Sequence, residues 1–116
     1  MAMTRIYKIV PSSLWAEAER TGRFVGAPVD HADGFIHFSA ADQLRETATK
    51  HFSGQTDLLL VTVEAGVLGP ALKWEPSRGG ALFPHLYAAL SLADVADVCP
   101  LPSGDAGRFQ FPEDIP

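Results

Sequence analysis

Only one cysteine, Cys99, occurs in 116 residues, so no disulfide can form within the chain and a disulfide-stapled secreted scaffold is excluded. Its neighbours Val98 and Pro100 include no base to activate the thiol, which reads as a small core residue and not a nucleophile. Cationic side chains are scarce too: nine Lys and Arg stand against fourteen Asp and Glu, a formal net charge of −5 at pH 7. Affinity gained by neutralising many phosphates needs the opposite balance, so neither nucleic acid nor an anionic membrane surface is an expected partner. No apolar run approaches a membrane span, since even residues 58–63 lead directly into Glu64 and Gly66. The opening Met-Ala-Met-Thr-Arg-Ile-Tyr-Lys lacks the apolar segment of a signal peptide, and a cytoplasmic location is expected. Also missing are Gly-x-x-x-x-Gly-Lys, Gly-x-Gly-x-x-Gly, Gly-x-Ser-x-Gly and paired-cysteine zinc patterns.

What is present is enough apolar material for one core: 47% of residues are hydrophobic and 20% charged. The expectation is a single globular domain over residues 1–102, with 103–116 as a Gly-, Pro- and Asp-rich tail that Phe109 and Phe111 hold on or near the body. Residues 5–10 read as a strand closed by Pro11, followed by a helix capped by Ser12 and Ser13 and ended by Gly22. Residues 22–34 are rich in Gly, Pro and Asp and read as an irregular loop. A short aromatic strand follows at 35–38, and Ser39 with Asp42 forms a capping pattern for a helix reaching Phe52. Residues 58–63 are apolar but for Thr62 and belong at a sheet centre, buried on both faces. Strands at 71–75, 82–90 and 95–101 complete the chain. The fold class is α+β, with small, mixed, mostly antiparallel sheets and two helices in the N-terminal half.

Two His–hydroxyl pairs carry the chemistry. In residues 33–39, Asp-Gly-Phe-Ile-His-Phe-Ser, strand alternation puts Phe35, His37 and Ser39 on one face and Ile36 and Phe38 on the other. In residues 83–87, Phe-Pro-His-Leu-Tyr, it puts Phe83, His85 and Tyr87 together. If both strands share a sheet, the four polar residues line one cleft floored by Phe35 and Phe83. In Lys73-Trp74-Glu75, Trp74 packs inward and the charged pair faces the other way. Glu75 can then accept from a ribose hydroxyl or act as a general base, and Arg78 can hold a phosphate or carboxylate with its forked donors. Asp30, His31, Asp33 and His37 lack the helical spacing of hydrolytic zinc sites, and no metal is expected. The purely structural alternatives are a helix cap for Ser39 and core packing for Tyr87.

Residues 6–9, Ile-Tyr-Lys-Ile, residues 33–39 with Gln43, Trp74-Glu75 and residues 83–87 together resemble the signature of a family of small bacterial proteins, domain of unknown function nine-five-two. The resemblance extends along nearly the whole chain to about Leu101. It implies a remote kinship in fold with ADP-ribosyltransferases, whose split sheet binds NAD in a cleft between two small sheets. On that likeness His37 is the motif histidine that bonds the NAD ribose, and Ser39 matches the hydroxyl two positions on. The order of Glu75 before Tyr87 departs from those enzymes, in which a Tyr precedes the catalytic Glu.

The expected ligand is therefore a small molecule or nucleotide, with NAD as substrate, bound by a monomer or small homo-oligomer. His37, Glu75 and His85 are the candidate catalytic residues, and His37, Ser39, Arg78 and Tyr87 the candidate binding residues. Two alternatives stay open: a two-histidine phosphoesterase using His37 and His85 as base and acid, and a metabolite-binding module without a reaction.

Overall fold

In the computed structural model, which describes residues 4–103, 109–112 and 115, the chain begins with β1 (Arg5–Pro11), α1 (Ser12–Thr21), β2 (Arg23–Phe24) and α2 (Pro28–Asp33). It continues through β3 (Ile36–His37), β4 (Ser39–Ala40), α3 (Ala41–His51) and β5 (Leu58–Glu64). The last strands are β6 (Leu72–Pro76), β7 (Leu82–Leu86), β8 (Leu90–Ser91) and β9 (Val95–Pro100). The fold is α+β with small antiparallel sheets: a four-stranded sheet in the order β4-β1-β5-β9, a three-stranded sheet β3-β7-β6, and the pair β2-β8.

Alternation along β1 builds both sides of the core. Ile6 and Val10 face α1 and the three-stranded sheet, where they meet Trp15, Phe38, Val61, Val63 and Leu86. Tyr7 and Ile9 face α3 and meet Leu44, Ala48, Leu58 and Leu60. β5 is thus buried from both sides, as its apolar run, interrupted only by Thr62, requires. Leu44 and Ala48 are one helical turn apart and fully buried, and each leucine so buried contributes about 1.5–3 kcal/mol. Phe109, Phe111 and Ile115 pack against this second cluster. No helix among the described residues is long and apolar enough to cross a membrane.

Several local expectations need correction. The loop at 22–34 contains β2 and α2, so the described residues of the N-terminal half hold three helices. Pro28 at the start of α2 and Asp30 two residues on are helix-opening residues, but six residues are too few to show a period. The strand at 82–90 ends at Leu86, and Leu90 belongs to β8. Ser12 and Ser13 lie inside the first turn of α1 and do not cap it, whereas Gly22 ends that helix as expected, with φ +87° and its N–H on Ala18 O. Ser39 does not cap α3: Ala40 holds the cap position, and its N–H donates to Gln43 Oε1 at 2.9 Å. Gln43 Nε2 also donates to Leu82 O at 2.7 Å, tying α3 to β7. Trp74 faces outward, 40% exposed.

Candidate functional site at the seam of two sheets

Within three residues, His37 to Ser39, the chain leaves the three-stranded sheet and joins the four-stranded one. His37 pairs with His85 across β3 and β7, while Ser39 pairs with Tyr7 of β1. Phe38 N–H donates to Pro84 O at the crossing. His37 and His85 are direct cross-strand partners, so their side chains share a face, and Lys73 of β6 completes the row. The ring centroids of the two imidazoles are 5.5 Å apart at 71°. Phe35 stacks on His85 at 4.0 Å and touches the rings of His37 at 4.6 Å and Tyr87 at 5.2 Å.

Each imidazole is braced by a carboxylate. His85, 4% exposed, has Nδ1 2.9 Å from Glu75 Oε1, and the same oxygen accepts from the Tyr87 hydroxyl at 2.6 Å. The bond from Tyr87, followed by that from His85, holds the Glu75 carboxyl below its ordinary value, and the Tyr87 phenol is raised chiefly by its bond to Glu75. Lys73 Nζ lies 5.2 Å over the Tyr87 ring. With Nδ1–H donating to Glu75, Nε2 of His85 is an acceptor with no hydrogen-bond partner among the described residues.

His37 has a carboxylate on each nitrogen: Asp30 Oδ1 at 2.6 Å from Nδ1 and Asp33 Oδ2 at 2.8 Å from Nε2. Asp30, 2% exposed, also accepts from Ala27 N–H at 2.7 Å and His37 N–H at 3.1 Å. Lys8 reaches it from β1, with Nζ 3.1 Å from Oδ2, and donates to His37 O at 2.8 Å. Burial pushes the Asp30 carboxyl up, but the bonds and charges of His37, Lys8 and the two amides outweigh it and bring it down to about 2. Burial pushes the Lys8 ammonium down, an effect that Asp30 opposes. Asp33 is half-exposed, so its contact with Nε2 of His37 lies at the solvent side of the ring.

A cavity of about 520 Å³ opens beside the two imidazoles, walled by Lys8, Asp33, His37, Ser39, Phe83 and His85 among others, while Phe35, Glu75 and Tyr87 lie off its wall. Its size suits a small-molecule ligand. Of the residues expected from sequence, His37, Glu75, His85 and Tyr87 come together directly. Ser39 is on the cavity wall, but its hydroxyl pairs with Thr47 Oγ1 at 3.1 Å. Arg78 opens a 3-10 turn after β6, and its side chain lies outside the described residues. The pairing of Lys8 with Asp30 is not legible in the sequence because it spans 22 positions. The available signal was a lysine inside an otherwise apolar β-branched run, which must find a counter-charge if buried. No group of three or more His, Cys, Asp or Glu among the described residues is placed to hold a metal ion.

Gly26 lies against this network. It has φ +114°, and a Cβ there would sit 2.9 Å from Asp30 Cβ. Gly26→Ala is expected to cost about 3 kcal/mol, combining left-handed strain with displacement of Asp30, as read by urea unfolding. An unchanged midpoint would show that Asp30 is not tightly held.

The sequence model of a family described as protein of unknown function (DUF952) matches residues 9–98. The X-ray crystal structure of protein CC0527 from Caulobacter crescentus is 51% identical in sequence and superposes with a TM-score of 0.89, covering 92% of this chain and 94% of that one. The solution NMR structure of CC0527 is 52% identical, with a TM-score of 0.83 and 90% of each chain covered. No curated protein matches this sequence.

Proposed function

We propose, from the premise that the chain belongs to the DUF952 family of proteins of unknown function, that its cleft binds NAD and breaks the nicotinamide–ribose bond. The observation that carries this is the meeting of His37, His85, Glu75, Tyr87 and Phe35 on one face at the seam between two sheets. A cleft between two small sheets is where ADP-ribosyltransferases hold NAD. The nicotinamide of NAD is cationic, and aromatic faces beside a carboxylate suit such a ring. As the glycosidic bond breaks, its electron pair leaves on nicotinamide and positive charge moves to the ribosyl carbon, where the Glu75 carboxylate stabilises it. His37 bonds a ribose hydroxyl in place of Asp33. Nε2 of His85 takes the proton from the acceptor, water or another nucleophile, as it adds to that carbon. Ser39 contributes wall, and Arg78 is the proposed phosphate contact.

One observation favours a second reading, a two-histidine phosphoesterase: both imidazoles present Nδ1 to a carboxylate and the rings are adjacent. Calorimetry with NAD and ADP-ribose separates the two. The expected result is binding by the wild type and about tenfold weaker binding by His37→Ala, the loss of one ligand hydrogen bond. No heat at millimolar NAD with the protein folded, together with cyclic phosphodiester hydrolysis that His37→Ala and His85→Ala each abolish, transfers the assignment to the phosphoesterase.

A further inference from the structure

Among the described residues, β1 lacks a strand neighbour along half of one edge. β4 pairs only with Ile6 and Tyr7, whereas β5 pairs the opposite edge all the way to Pro11. The lane beside Lys8 to Pro11 is left open because the chain upstream of Ser39 belongs to the other sheet, with His37 paired to His85. The direction of each backbone group follows from the ladder. Ala65 N–H donates to Thr4 O and Ser12 N–H to Asp57 O, so even-numbered residues of β1 turn their N–H and C=O towards β5. Odd-numbered residues turn the other way, which aims Ile9 N–H, Ile9 C=O and Pro11 C=O along the open lane. That lane is a wall of the same cavity, since Lys8, Ile9 and Pro11 line it with His37 and His85.

We infer that an extended peptide segment enters this cleft as an added strand on β1, one of its residues exchanging both backbone hydrogen bonds with Ile9. The N–H and C=O of a single extended residue are spaced for that exchange, which is the geometry of strand addition at a sheet edge. Continuing the antiparallel direction of β4, the peptide runs with its C-terminal end towards Ser39 and the seam. Its residue opposite Lys8 projects to the same side of the sheet as Lys8, whose Nζ touches Asp30 and His37 O. Under the transferase reading, on which only this last step rests, the peptide is the acceptor. A side-chain heteroatom bonds to the ribosyl carbon as nicotinamide departs with the electron pair, and its proton passes to Nε2 of His85.

The test uses the full ¹⁵N-labelled chain and the tetrapeptide Ac-Ala-Thr-Ala-Ser-NH2, without NAD, so its failure is separate from failure of the NAD reading. The Ile9 amide resonance is expected to move downfield and gain protection from hydrogen exchange. Of two analogues N-methylated at alternate residues, either the first and third or the second and fourth, one binds as before and the other about tenfold more weakly. Val29→Arg, at an exposed cavity-wall position, is expected to block the lane without unfolding the protein. An unmoved Ile9 amide at millimolar peptide overturns the inference. Equal binding of both analogues, or N-acetylalanine amide binding as well as the tetrapeptide, does so as well.

Discussion

Replacing Asp30 with alanine is expected to remove about 3–5 kcal/mol of folding stability, a large share of what a domain of this size possesses. The carboxylate is the only counter-charge contacting Lys8 among the described residues, and it also holds Ala27 N–H, His37 N–H and His37 Nδ1. Alanine leaves a buried ammonium and these donors without their acceptor. Lys8→Met removes the cation but leaves Asp30 its other donors, so its cost is smaller, and adding it to Asp30→Asn recovers part of that variant's loss in a double-mutant cycle. Acid makes the same point on the unmodified protein. The Asp30 carboxyl is depressed from 3.8 to about 2 on folding, so its contribution is fully present above pH 4 and is lost as the pH falls to about 2. That share is about 2 kcal/mol. Urea unfolding of wild type and Asp30→Asn between pH 5 and pH 2 is expected to show converging stabilities. Parallel curves would contradict a native ion pair here.

On the proposed NAD reading, Glu75→Gln is expected to slow NAD cleavage by about 10²–10³-fold while leaving NAD affinity almost unchanged, because the carboxylate's charge matters most once the ribosyl carbon turns cationic. Glutamine still offers an oxygen to the Tyr87 hydroxyl and His85 Nδ1, so the local geometry survives. Steady-state and single-turnover rates of nicotinamide release, read beside calorimetric affinities, check this split. An equal loss of rate and affinity would make Glu75 a binding residue only. The pH profile adds a sign: Glu75 is depressed below 4.5, so the acid limb that it causes lies below that pH. Tyr87→Phe deletes the strongest contributor to that depression and is expected to move the limb upward.

The face carrying the site was legible in the sequence because strand alternation is local. Phe35 with His37, and Phe83 with His85 and Tyr87, follow from a two-residue period, and the two segments prove to be neighbours in one sheet. The same period misplaces Trp74, since β6 is an edge strand and leaves the ring 40% exposed. Ser39 fails as a cap for a different reason: serine next to a helix start is a frequent cap, but β4 pairing places it one residue early and turns its hydroxyl to Thr47. Asp30 and Lys8 were invisible to local rules. A lysine in a strand looks like an outward residue, and only the arrival of α2 beneath β1 supplies the carboxylate that lets it stay inside.

The central claim, that two carboxylate-braced histidines at the seam of two sheets face one ligand, is tested most directly by long-range ¹H–¹⁵N spectra of the four imidazoles during titration with NAD. The account predicts that His37 and His85 shift together along a single binding curve while His31 holds still, and that Asp33→Asn, which weakens the competing contact at Nε2 of His37, tightens the curve. His37 and His85 remaining unmoved at saturating ligand, or following different curves, would contradict it.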